Sequence, residues 1–327
     1  MEVIFYADNK DQFLSLLNET SFVAPTPDQL YLRSEYNRHY FSDKFKDSSF
    51  IFLEKGKVKS VVPCHIINDV LCMDGSGIKP YYEQEDKRVI KAIYETLLLI
   101  ASKNSIPTML IRDNEMQREL GIWGAEAYKN GAFPKSLLKA EIDLSLSDEK
   151  IHRGVRDSYR SLINQAKREL DICVIDSNSV SREIFENFQK FHVDISGRET
   201  RSQESWDILY QMIKGGCAEL LVAYLEPYGL VSCSLFTDYA DTTTYAVAVY
   251  NRDLFDKPLA HGLVYESIFR AKKRNKKTFY LGLLPHASEV SAKEFSISQF
   301  KKGFCDRPSH CIEWSVNFRP KQNSGSS

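Results

Sequence analysis

From residue 181 onward the apolar pattern changes its period in a fixed succession, and this order of elements restricts the fold more than any single motif does. Steps of three and four over Ser181–Asp194 and Gln203–Lys214 mark two helices. Three runs rich in β-branched and aromatic residues follow, Ala218–Leu225, Leu230–Asp238 and Thr243–Tyr250. Such side chains suit a pleated, half-buried surface, and the Pro227–Gly229 turn suits an antiparallel meander. Helix Leu259–Asn275, strand Thr278–Gly282, a helix near Ser291–Lys301 and a last strand complete the series. The first half alternates in a similar way. Strand Glu2–Tyr6 precedes a helix capped by Asp8 and running through Asn18, and a second helix covers Asp28–His39. Runs Phe50–Glu54 and Val58–Ile67 make a hairpin about Lys55-Gly56, and an amphipathic helix Asp86–Lys103 leads to strand Thr108–Arg112. The expected fold class is α/β of the α+β kind, with mixed, mostly antiparallel sheets flanked by helices. Two domains are expected, 1–150 and 151–327.

The bulk numbers agree with two globular cores and narrow the functions. The chain has 327 residues, 43% of them hydrophobic and 27% charged, with net charge −1. A near-neutral total argues against a dedicated nucleic-acid binder. The charge is uneven, however: residues 1–150 carry 19 basic and 23 acidic side chains, −4, and the remainder 24 and 21, +3. Residues 267–307 hold 10 basic against 3 acidic, an excess that could meet phosphates. No apolar run reaches the ~18 residues of a membrane span, and the first residues lack a basic-then-apolar leader, so a cytoplasmic location is expected. The seven cysteines are odd in number and lack zinc spacing; they are read as reduced core thiols, and no metal is expected. Gly-x-Ser-x-Gly, phosphate-loop and His-Glu-x-x-His motifs are all missing. The tail Asn323–Ser327 is read as a flexible end.

A helix over 154–170 links the halves. Val155, Tyr159, Leu162 and Ala166 form its apolar stripe, and Arg153, Arg156, Arg160 and Lys167 a basic one. The segment VRDSYRSLINQAKRELDICVI, Val155 to Ile175, resembles the linker helix of the Fem-type tandem GNAT N-acyltransferases, of the polysaccharide-cluster kind. Further on, TFYLGLLPHASEVSAKEFSISQFKKGFC resembles that family's closing signature: a strand ending in Gly282, a loop, then Phe300-Lys301-Lys302-Gly303-Phe304. The element order from 181 onward is likewise that of a GNAT domain. The resemblance rests on residues from about 150 to 315, and reaches the first half only through architecture. It implies two GNAT-like domains, an acyl acceptor bound in a cleft, and acyl-CoA or aminoacyl-tRNA as co-substrate, with no permanently bound cofactor. The acetyltransferase donor-loop pattern of spaced glycines is replaced by Asp256-Lys257-Pro258-Leu259-Ala260-His261-Gly262, so the donor is left open, inclining to an acyl thioester.

An amine attacking a carbonyl creates an oxyanion, which a well-placed cation or amide stabilises. Lys301 is the candidate for that task. His261 is the candidate base, because imidazole titrates near neutrality. Arg156 and Arg160 are expected to grip the pyrophosphate of a nucleotide-linked acceptor by forked hydrogen bonds, Tyr159 is expected in the core with its hydroxyl toward the cleft, and the resemblance implies that Arg198 and Arg201 contact the acceptor. Ala260 and Gly262, at a helix start whose amides favour anions, are expected on the donor together with Gly282, Phe300 and Phe304. Phe300 and Phe304 also share one helical face, as core residues do. The function expected is transfer of an acyl or aminoacyl group to an amine of a sugar or peptide precursor of the cell envelope, such as an amino sugar in polysaccharide biosynthesis. One alternative is a non-catalytic tandem GNAT-like binding module. Another is an RNA-binding protein, tRNA included, that uses the 153–168 stripe and the 270–277 basic cluster. The oligomeric state is left open.

Overall fold

The chain meets the demand that each apolar face be covered by building sheets with helices against them. The computed structural model describes residues 2–113 and 120–318; the expected flexible tail lies outside them. In chain order the elements are β1 (Glu2–Phe5), α1 (Lys10–Asn18), α2 (Pro27–Phe41), β2 (Phe45–Asp47), β3 (Phe50–Glu54), β4 (Lys57–Val62), β5 (His65–Ile67), β6 (Val70–Cys72), β7 (Tyr81–Tyr82), α3 (Lys87–Lys103), β8 (Thr108–Asp113) and α4 (Ile122–Lys129). Then come β9 (Phe133–Asp143), α5 (Asp148–Gly154), α6 (Asp157–Glu169), β10 (Asp171–Ile175), α7 (Arg182–Ser196), α8 (Gln203–Lys214), β11 (Ala218–Leu225), β12 (Gly229–Tyr239), β13 (Thr242–Tyr250), α9 (His261–Lys273), β14 (Thr278–Leu283), α10 (Ala292–Lys302) and β15 (Ser309–Asn317).

These elements gather into two compact units whose memberships interleave along the sequence. The first comprises residues 1–27, 41–137 and 310–327, the second residues 28–40 and 138–309. In the first, antiparallel strands run in the order β1-β3-β4-β7, and a second set runs β15-β8-β6-β5-β2 with β6 parallel to β8. Helix α3 covers its core, burying Val89, Ile93, Leu97 and Ile100 as the sequence spacing requires.

The second unit is a sheet in the order β10-β11-β12-β13-β14-β9, antiparallel except for the β13/β14 pair. Both units are thus the mixed, mostly antiparallel α/β arrangement the sequence leads one to expect. Alternation along β11 sends Leu221 and Ala223 to one face and Leu220 and Val222 to the other. Helices α6 and α9 cover the first face, α7 and α8 the second. Arg270 holds both carboxylate oxygens of Glu219 (3.1 and 2.8 Å), and Arg274 both of Asp238 (3.0 and 3.2 Å), which ties the C-terminal turn of α9 to the strands.

Three expectations need correction. The linking helix begins at Asp157 rather than Gly154: the chain is extended at Val155 and Arg156, where the Arg156 N–H donates to the Gly303 carbonyl at 2.9 Å. The run Val58–Ile67 is two strands in different sheets, parted at Pro63, which has no N–H to give a ladder. Helix α1 is capped by Asn9 rather than Asp8, its side chain accepting from the Gln12 N–H at 3.1 Å. No disulfide joins cysteines among the described residues, and six of the seven are buried. No helix among the described residues is long and apolar enough to cross a membrane.

Candidate functional site

Strands β13 and β14 pair in parallel over three residues only, Thr242–Thr244 with Thr278–Tyr280, although β13 runs on to Tyr250 and β14 to Leu283. The two strands therefore part toward their carboxyl ends. Helix α9 crosses from one to the other and starts at that end, with Ala260 as its N-cap and no side chain capping it. Open parallel strands with a helix start beside them are the usual crevice for a ligand in α/β sheets.

Gly282 and Lys301 meet at this end. Gly282 has φ +132°, a region that side chains rarely adopt, and a Cβ there would lie 2.6 Å from Lys301 Nζ. The glycine therefore leaves the space the ammonium occupies. No carboxylate pairs with that ammonium among the described residues, and burial lowers its pKa below the usual lysine value. A half-buried cation without a counter-ion suits a negative charge that arrives with substrate or develops during reaction.

Four of the residues singled out in the sequence form one aromatic cluster beside it. The ring of Tyr159 lies 4.5 Å from His261, 5.9 Å from Phe300 and 5.2 Å from Phe304, centroid to centroid. His261 also faces Phe300 (5.3 Å) and Phe304 (6.1 Å). Burial among these rings lowers His261 to about 4 and leaves its Nδ1 without a hydrogen-bond partner among the described residues. The imidazole is neutral near pH 7, and it is too weak a base to compete well for an ammonium proton. Gly303 makes the packing possible, since a Cβ on it would stand 2.1 Å from Cε2 of Tyr159. Gly262 does the same for α9: its Cβ would sit 2.9 Å from both Ala166 and Ile172, so α6 and β10 press against the first turn of α9.

The basic stripe does not form a single grip. Arg156 lies over Tyr159 at 5.0 Å. Arg160 donates to the Val155 carbonyl at 2.7 Å and pairs with Asp157, and Arg153 pairs with Glu149. The basic cluster 270–277 is partly spent in the same way, with Arg270, Lys272, Arg274 and Lys276 all in ion pairs.

Arg198 and Arg201 lie elsewhere in the unit, in the loop between α7 and α8, the helices on the opposite face of the sheet from the aromatic cluster. Arg198 is exposed. Arg201 is held: Nε donates to the Tyr36 hydroxyl at 3.0 Å and Nη1 to Thr200 Oγ1 at 2.9 Å, with the guanidinium 5.3 Å from the Trp206 ring. It has no carboxylate partner among the described residues. Beside it, burial and the Arg201 charge lower His192 to about 4.

Tyr245 and Tyr250 escaped the sequence reading, and Gly303 entered it only as a position of the closing signature, with no role. A bulge between Leu235 and Phe236 of β12 and the facing strand lets Tyr245 and Tyr250, five residues apart, turn to one core face. Their hydroxyls hydrogen-bond to each other, and that of Tyr250 lies 3.4 Å from Ser234 Oγ. Burial raises both, Tyr250 to about 12, so both stay protonated. Nothing in the local sequence announces a bulge; only the Phe-Lys-x-Gly-Phe spacing could have drawn attention to Gly303.

No protein-family model and no curated protein matches the sequence. Solved structures do. The crystal structure of FemX superposes with TM-score 0.66 at 11% identity, covering 97% of this chain and 98% of that one. L-PGS from Bacillus licheniformis gives 0.59 at 13% identity, covering 96% and 93%. A tandem GNAT protein from the clavulanic acid biosynthesis pathway gives 0.56 at 13%, covering 98% and 99%. Likeness at such identities is likeness of fold, and the fold of this chain is that of the tandem GNAT proteins.

Proposed function

We propose that this chain is an N-acyltransferase that moves an acyl or aminoacyl group from acyl-CoA or aminoacyl-tRNA to an amine of a sugar or cell-envelope precursor. One observation carries the reading: the unpaired ammonium of Lys301, in the space Gly282 leaves open, where β13 and β14 part. The acceptor nitrogen attacks the donor carbonyl carbon, and the carbonyl π electrons move to oxygen. Lys301 donates a hydrogen bond to that oxyanion. Collapse re-forms the carbonyl and expels the thiolate or ribose oxygen, which takes up a proton as the nitrogen loses one. His261, neutral and enclosed, packs the Tyr159 cluster rather than serving as base.

Arg201, pre-set by Tyr36, Thr200 and Trp206, holds an anionic part of the acceptor that extends to the other face of the sheet, away from Lys301. Helix α9 offers its first-turn amides, at Ala260 and Gly262, to an anionic part of the donor. An acyl thioester is favoured as donor, because much of the basic surface that would meet tRNA is spent in internal ion pairs. Mass spectrometry of products from a pool of acyl-CoAs, aminoacyl-tRNAs and nucleotide amino sugars tests this. A new amide formed by the wild type and not by Lys301→Met supports it; no product from any pair, with an acceptor still bound, favours a binding module.

A further inference from the structure

The second unit contains a cavity of ≈ 430 Å³ that the chemistry above does not use. Such a volume falls within the range of small-molecule sites. It opens at Lys277 and Thr278, the amino end of β14, whereas Gly282 lies four residues further along, roughly 13 Å away at ~3.3 Å per residue. Three cations line it, Lys150, Lys277 and Arg307, and none of them has an ion-pair partner among the described residues. Of its carboxylates, Glu141 is taken by Lys139 at 2.9 Å and Asp143 accepts the Ser145 N–H at 2.8 Å. That leaves two carboxylates, Asp143 and Asp306, against three positive charges, an excess of one. The hydroxyl of Ser309 is buried in this lining without a hydrogen-bond partner among the described residues, a state that a bound acceptor relieves. Ile142, Ile151 and Phe304 supply an apolar wall.

We propose that this cavity is a second ligand site, taking a small organic anion: a phosphate or carboxylate on an apolar body. The head group sits among Lys150, Lys277, Arg307 and the Ser309 hydroxyl, and the body against the wall. Phe304 belongs both to that wall and to the Tyr159 cluster, 5.2 Å from the Tyr159 ring, so one side chain separates this ligand from the residues beside Lys301.

Thermal melts of the full chain with phenyl phosphate, benzoate and phenol test the site without needing any activity. Phenyl phosphate or benzoate is expected to raise the melting temperature by a few degrees when well above its dissociation constant, and phenol is not. Which of the two acids acts better separates a phosphate from a carboxylate ligand. The double substitution Lys277→Gln with Arg307→Gln, both exposed positions, is expected to weaken the effect at least about tenfold. Lys301→Met should leave it intact. Equal stabilisation by phenol, an undiminished effect in the double variant, or no effect at millimolar anion would overturn the proposal.

Discussion

The backbone of Gly282 and the ammonium of Lys301 occupy mutually dependent space: a methyl group on the glycine would come within 2.6 Å of Nζ. Gly282→Ala therefore strains a backbone at φ +132° and displaces the cation. The expected cost is ~1–3 kcal/mol in stability, with an activity loss close to that of removing the lysine. A double-mutant cycle with Lys301→Met checks this. If the glycine change costs as much activity without the lysine as with it, the two do not act together.

Lys301→Met should lower kcat by ~10²–10³, the usual scale for losing one oxyanion donor. Its melting temperature should not fall, because a desolvated charge without a counter-ion has been removed. A variant that melts much lower would instead give Lys301 a structural role.

Gly303→Ala places a methyl group 2.1 Å from the Tyr159 ring, which is itself enclosed by His261, Phe300 and Phe304. Overpacking of this kind costs about 1–3 kcal/mol. Tyr159→Leu in the same chain should recover part of the loss in chemical denaturation, since it vacates the contested space.

His192 and His261 are both held near 4 against an ordinary value of 6.5. The unfolded chain then takes up protons at higher pH than the folded one. The stability linked to the neutral rings is complete above about pH 6.5 and is lost as pH falls toward 4. Melting temperatures followed from neutral pH to about pH 4 should decline, and His192→Gln should flatten the decline. An unchanged slope would show that His192 is protonated alike in both states.

Arg201→Lys keeps the charge but loses the fork that reaches Tyr36 and Thr200 together. Acceptor KM should rise roughly tenfold or more while kcat changes little. An unchanged KM would remove Arg201 from the acceptor site.

The sequence by itself determined the succession of elements in the second half, because apolar period and capping are local. Ser202 opens α8, and Ser291 with Glu294 closes a capping box on α10, as residues of these kinds do wherever they sit. It also brought Gly282, Lys301, Phe300 and Phe304 to notice, through the resemblance of residues 278–305 to the Fem-type closing signature. Strand β9 is legible too, in the alternation of Leu138, Ala140 and Ile142.

Tertiary structure alone decided the rest. Whether an arginine is available depends on carboxylates and carbonyls far away in sequence, and so the stripe at 153–160 dissolved into separate local pairings. Desolvation took His261 out of the range where a base is useful, and desolvation is a property of surroundings that no local pattern records. The break at Val155 and Arg156 arose because one amide found a better partner at Gly303, some 150 residues later in the chain.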